Sequence, residues 1–337
     1  MKTCLFSVFV CLSLFFPQSN VFSENLLIVD SLTAEPYTSV RLAMMKELQA
    51  QGFSPDRNLI VKRWSVGNAD GLSKRVWLEE KDNNYDVIFL NGTIATLNFK
   101  KFAYNNSNYK FVFAAVTDPV DVGVIDNFTD KPKANFTGVS FPVAIEDRLR
   151  FIKTIMPTAT NIGFVYARMP PSLSYIKRLK KILKRDEFND LIFHFREVDF
   201  VRSEAGDTRM AKLAKKHIRE LDPQVNLFLS PNDTMGSQKA FAKVVYEEAT
   251  KPLIGLGRND VMENWGAAVS IYPSYQDAGR KAGVMIADIF RGKNLGDIIP
   301  QQPEYGIALD FEKAKEFGIS IPDSIIKKAG MDIIKKD

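Results

Sequence analysis

The stretch Phe111-Val-Phe-Ala-Ala-Val-Thr-Asp-Pro-Val-Asp-Val-Gly123, followed after a polar run by Asn135-Phe-Thr-Gly-Val-Ser140-Phe141, decides the fold. Phe111 to Val116 is an apolar run of strand length, too short for a helix. Thr117-Asp118-Pro119 stops it, because proline has no N–H to donate and pushes the residue before it away from helical angles. Val139-Ser140 closes a second short strand. Residues 142–156 then read as an amphipathic helix with Pro142 near its first turn.

The same grammar extends on both sides. Upstream, strand patterns over 26–29, 58–64 and 86–90 alternate with helical patterns over 37–51 and 72–81 and after Asn91-Gly92-Thr93. Downstream the series restarts, with strands over 161–166, 191–198, 227–229, 253–256 and 267–271, and helices over 173–185, 208–221, 235–249 and 275–291. Strands alternating with helices at this spacing mean parallel βαβ units. Two series of similar size, with no low-complexity linker, predict two α/β lobes joined by short crossings, the first near Ser140.

The runs AAVTDPVDVGVIDNF from Ala114, NFTGVS from Asn135 and IMPTATNIGFVY from Ile155 resemble, in order, the solute-binding proteins of bacterial ABC transporters that include tryptophan-binding proteins. The resemblance covers most of the chain after residue 24 and is densest from 111 to 167. It implies an α/β fold of two doubly wound parallel-sheet lobes with a ligand cleft between them, type I periplasmic binding protein-like, and no catalysis. It also implies further crossings near Tyr272-Pro273 and near Gly296. Lobe 1 would then hold 24–140 plus 273–295, and lobe 2 would hold 141–272 plus 296–337.

Length and composition agree with this reading. The 337 residues have room for two domains, and 45% hydrophobic with 25% charged residues is ordinary for a globular protein. Residues 1–23 read as a signal peptide: Lys2, an apolar run from Leu5 to Phe16, then Pro17 and a Val21-Phe22-Ser23 cleavage site. Both cysteines, Cys4 and Cys11, lie in that segment, so the mature chain is expected to hold no disulfide. The formal charge of +5 is spread along the chain and supports no nucleic-acid partner. A periplasmic, monomeric protein whose partners are a small ligand and an inner-membrane ABC permease is what the resemblance implies.

Ligands in open α/β sheets bind beyond the carboxyl ends of the strands. The residues just after each expected strand are therefore the candidates: Ser31, Asn91, Thr93, Thr117, Asp118, Ser140, Tyr166, Arg168, Asn232, Asp233 and Ser270. Hydroxyls and amides suit a zwitterion, and carboxylates suit its ammonium. Asn91-Gly92-Thr93 opens a helix whose free N–H groups favour a carboxylate, though Thr93 also suits a cap. Asp118 and Asp233 each fit the ammonium; an Asx turn for Asp118 and an N-cap for Asp233 fit as well. Ser140 lies at a crossing that would face the cleft. Arg168 stands where relatives in the family carry Asn, and is either a bidentate clamp for a carboxylate or a solvated side chain.

Phe141, Tyr166 and Tyr272, with the tryptophan-binding relatives, point to an aromatic amino acid. No metal-ligand spacing, nucleophile elbow or phosphate-cradling loop is present, so no cofactor, metal or catalytic residue is expected. Two other classes share these features: a ligand-sensing subunit for a separate signalling protein, and a secreted enzyme.

Overall fold

The computed structural model describes residues 23–335; the expected signal peptide, apart from Ser23, lies outside them. The first sheet holds β1 (Glu24–Asp30), β2 (Leu59–Ser65), β3 (Val87–Asn91), β4 (Phe111–Val116) and β5 (Phe136–Ser140), all parallel, in the order β2-β1-β3-β4-β5. Helices α1 (Tyr37–Ala50), α2 (Asp70–Glu80) and α3 (Thr93–Ala103) connect them. β3, β4 and β5 are buried throughout, as strands covered on both faces must be.

The second sheet starts after the crossing at Ser140. Its first elements are α4 (Ile145–Ile155), β6 (Asn161–Ala167), α5 (Pro170–Ile182), β7 (Ile192–Val198), α6 (Gly206–Leu221), β8 (Leu227–Leu229) and α7 (Lys239–Glu248). Then come β9 (Leu253–Gly255), α8 (Asn259–Met262) and β10 (Val269–Pro273). The chain leaves for α9 (Tyr275–Phe290) and returns as β11 (Tyr305–Asp310), α10 (Phe311–Glu316), α11 (Asp323–Ala329) and β12 (Ile333–Ile334). The strand order is β12-β11-β10-β9-β8-β6-β7, with β10 and β11 antiparallel and the other pairs parallel.

Helix α9 docks on α1 of the first lobe with almost no side-chain spacer. A Cβ on Gly279 would lie 2.2 Å from the Val40 carbonyl oxygen, and one on Gly283 would lie 2.8 Å from that of Met44. The backbones therefore touch, which only glycine at these positions allows.

The third crossing lies between Gln301 and Tyr305, not near Gly296 as expected. Leu295 and Ile298 are buried in the first lobe's core. Thr137 donates to the Ile298 carbonyl (2.7 Å), Gln301 N–H donates to Gly138 (2.9 Å), and Ser140 N–H donates to Gln301 (3.0 Å). The segment after Gly296 thus covers the otherwise open edge of β5 before the chain leaves. The second lobe also differs at α7, which starts at Lys239 and not at Met235. Residues before it form tight turns, with Asp233 accepting from the N–H groups of Met235 and Gly236.

Candidate functional site

Each half of the site forms where its sheet's strand order reverses, the place at which two strand exits diverge and leave a crevice. In the first lobe this point lies between β1 and β3. Asp30 is buried there, with Arg63 (2.7 Å) and Arg41 on Oδ2 and the Asn91 amide (2.7 Å) on Oδ1. Asn91 donates also to the Tyr37 carbonyl (2.8 Å). Ser31 Oγ accepts from Ala95 N–H (3.1 Å), so Ser31, not Thr93, supplies the side-chain oxygen at the start of α3. Thr93 Oγ1 accepts instead from Thr117 N–H (3.0 Å), tying the exits of β3 and β4. Gly92 has φ +113°, and a Cβ there would lie 2.4 Å from Ser31 Oγ. Ser31 and Asn91 are frame; Thr93 and Thr117 reach the cleft.

In the second lobe the reversal lies between β6 and β8. Asp233 is fully occupied, accepting from Ala167 N–H (2.9 Å), Ser172 Oγ (2.8 Å), Met235 N–H (3.0 Å) and Gly236 N–H (2.8 Å). Burial pushes its carboxyl above the usual range, and these hydrogen bonds oppose the rise. Beside it, Asn232 Oδ1 accepts from Arg148 Nη1 (2.8 Å), while Asn232 Nδ2 has no partner. Arg148 lies on α4 and is completely buried. It donates also to the Ser230 carbonyl (2.9 Å) and the Tyr175 hydroxyl (3.2 Å). On α8, Asp260 Oδ2 accepts from the N–H groups of Leu256 (2.7 Å) and Gly257 (2.9 Å). Ser270 on β10 packs beside it; both crowd the position a Gly255 Cβ would take.

Between the two halves lies a cavity lined by Tyr37, Thr93, Thr117 and Phe141 on one side and by Pro171, Asn232, Asp233 and Ser237 on the other. Tyr275 of α9 stacks on Phe141 at 6.0 Å with rings 19° apart. The aromatic rings thus lie on the first-lobe side, beside Thr93 and Thr117, and the second-lobe side of the cavity carries none. The volume open to the centre of a water-sized sphere is about 20 Å³, room for a water but not for an amino acid. The lobes must part to admit a ligand.

Contacts between the lobes hold this arrangement. Asp118 Oδ1 accepts from Asp121 N–H (3.1 Å), three residues on rather than the two of an Asx turn, while Oδ2 accepts from Ser174 Oγ (3.0 Å) of the second lobe and lies 3.3 Å from Arg178. Asp121 pairs with Lys177 at 2.7 Å. At the opposite rim, Glu204 accepts from Thr33 N–H (3.1 Å) and from the Ser65 hydroxyl. Asp118 is thus taken up by interlobe contacts. A Ser174→Ala variant is expected to weaken ligand affinity about fivefold, since the lost hydrogen bond to a carboxylate is worth about 1 kcal/mol in the closed form alone; isothermal titration against wild type measures it.

Several expected residues lie elsewhere. Arg168 is exposed, and its guanidinium engages Glu197 (3.1 Å) and Asp199 (3.0 Å) at the end of edge strand β7. Tyr166 donates to Glu197 (3.1 Å) and joins the same surface cluster. Tyr272 bonds Asp332 and not the cleft. Ser140 and Ser270 are buried, each with a hydroxyl lacking a partner. The residues around the cavity that strand exits do not reveal are Tyr37, which lines it, Tyr275, which stacks on Phe141, and Arg148, which holds Asn232.

Two α/β lobes around a cleft, with paired strand reversals facing each other, define a type I periplasmic binding protein-like solute receptor. Residues 38–333 match the family model described as ABC transporter substrate binding protein, and the chain belongs to that family. It is therefore a solute-binding protein of the ABC transporter type, a ligand-binding transport component rather than a member of an enzyme family. It is similar to a tyrosine-binding protein of Clostridioides difficile (strain R20291), 23% identical over 257 residues, 75% of this chain and 69% of the relative. Among solved structures, an ABC domain in complex with L-Trp from Streptococcus pneumoniae has a TM-score of 0.76 at 18% identity, covering 93% of this chain and 100% of the other. A conserved domain protein from Vibrio cholerae O1 biovar eltor gives 0.76 at 18% identity, covering 91% and 99%.

Proposed function

We propose that this protein binds an amino acid with an aromatic side chain in the periplasm and delivers it to an ABC permease in the inner membrane. The observation that carries this is the asymmetry of the cleft. The rings of Tyr37, Phe141 and Tyr275 suit an aromatic side chain, and the hydroxyls of Thr93 and Thr117 beside them, with Asn232 across the cleft, suit a charged, hydrogen-bonding head. The tyrosine-binding relative and the L-Trp complex support the same class. Closure is a population shift: a ligand touching both lobes favours the closed form only by the contacts it gains there. The three crossings, at Ser140, Pro273 and after Gln301, absorb the motion.

Thermal unfolding of residues 24–337 with each amino acid in turn tests the reading. A ligand that binds only the folded state adds about 2.7 kcal/mol at 100 times its Kd. A raised midpoint with phenylalanine, tyrosine or tryptophan is expected. A response to none of the amino acids would remove the assignment while leaving the fold and family as they stand.

A further inference from the structure

We propose that Asp260 receives the ligand's ammonium group, with Arg148 and Asn232 beside it for the carboxylate. The inference deepens the amino-acid reading above and rests on it.

The argument starts from the carboxylates. Six are buried among the described residues: Asp30, Glu80, Asp118, Asp233, Asp260 and Asp310. A buried carboxylate oxygen without a donor is costly, so proteins seldom leave one. Asp30, Glu80, Asp118 and Asp233 have hydrogen-bond or ionic partners on both oxygens. Asp310 faces Lys313 with both of its oxygens. Asp260 differs: Oδ2 takes two backbone N–H groups, and Oδ1 takes nothing. The two carboxylates that sequence order nominated, Asp118 and Asp233, are those whose oxygens are already filled.

The surroundings of that free oxygen are those of a ligand head group. Asp260 Oδ1 and the Tyr275 hydroxyl, from opposite lobes, both lie 3.3 Å from the point where a Gly257 side chain would begin. Asp260 therefore faces the lobe boundary. Two buried donors in the same part of the second lobe also lack partners, Arg148 Nε and Asn232 Nδ2. One spare acceptor on an anion and two spare donors, one on a cation, complement an ammonium and a carboxylate. The Asp260 and Arg148 charges cancel, matching a zwitterion of zero net charge. Burial pushes the Asp260 carboxyl up to about 6, against the pull of the Gly257 and Leu256 N–H groups and, less, of Arg148.

The competing account is a structural pair in which waters bridge Asp260 and Arg148. Titration calorimetry on residues 24–337 separates the two, using the aromatic amino acids and 3-phenylpropanoate, which lacks the ammonium. Wild type is expected to bind at least one aromatic amino acid, and 3-phenylpropanoate at least 100-fold more weakly than phenylalanine or not at all. Asp260→Asn keeps an oxygen for the N–H groups of Leu256 and Gly257, so it is expected to fold, with unchanged circular dichroism. Its affinity for the amino acid is expected to drop at least 100-fold. Wild type that binds an amino acid while folded Asp260→Asn binds it equally well overturns the proposal and leaves the ligand class intact. If Asp260→Asn does not fold, the 3-phenylpropanoate comparison decides: binding to wild type within tenfold of phenylalanine overturns the proposal. Wild type that binds no amino acid overturns the ligand class and the proposal together.

Discussion

Arg148→Met is expected to destabilise the protein by about 3–5 kcal/mol, since it leaves two buried acceptors without a donor, at about 1–3 kcal/mol each, and removes a buried cation near Asp260. Methionine fills similar space, so the cost is not a cavity. It comes from what the guanidinium leaves behind: the Ser230 carbonyl and Asn232 Oδ1 lose their donor, and Asp260 loses the cation beside it. The melting midpoint should fall by roughly 10 °C. The pH dependence identifies the cause. In wild type the folded-state pKa of Asp260, about 6, already exceeds its ordinary value of 3.8. The folded state therefore binds the extra proton, and this group's contribution falls as pH rises from about 4 through 6. Without Arg148 the folded-state pKa rises further. The deficit of Arg148→Met should thus be larger at pH 8 than at pH 5, and Asp260→Asn added to it should recover part of the loss. A deficit equal at both pH values would mean that the lost hydrogen bonds, not the stranded carboxylate, set the cost.

Arg148 also shows where sequence reading stops. Ile145, Leu149 and Ile152 mark the apolar stripe of α4, and Arg148 falls on that stripe, three residues after Ile145. A basic residue on a buried face was a legible signal, but its partners Ser230 and Asn232 lie more than eighty positions away in the chain. Asp260 was hidden differently. The exit of β9 reads as Gly257-Arg258-Asn259, and the carboxylate is one residue further, on a helix of four residues with no periodicity of its own. What was legible rests on local physics: buried strands as apolar runs, helices as periodic stripes, and strand exits as polar clusters. Thr93, Thr117 and Asn232 come from that rule and line the cleft. The late third crossing was not legible because the segment is held to β5 mainly by backbone groups of Gly138, Ser140 and Gln301, and the one side-chain bond, from Thr137, lies more than 150 positions away in the chain.

Gly279→Val is expected to cost about 3 kcal/mol and to lower affinity for an aromatic ligand at the same time. The new Cβ alone would sit 2.2 Å from the Val40 carbonyl oxygen and 2.6 Å from Ala43 Cβ, distances that force α9 away from α1. Rotamer changes cannot relieve contact with a backbone oxygen, so the helices must separate. Tyr275 lies four residues earlier, on the same face of α9, and its stacking on Phe141 depends on where that helix rests. Separation would open the aromatic wall from behind, and of the polar groups at the site it would shift directly only the Tyr275 hydroxyl. A ligand held by its ring should therefore lose more affinity than one held by its head group. Comparing Gly279→Val with Arg280→Ala, on the exposed side of the same helix, isolates the packing effect. Equal melting midpoints in the two variants would show that α1 yields to the valine. A lower midpoint with unchanged affinity for the aromatic amino acid would show that the position of α9 does not set the wall.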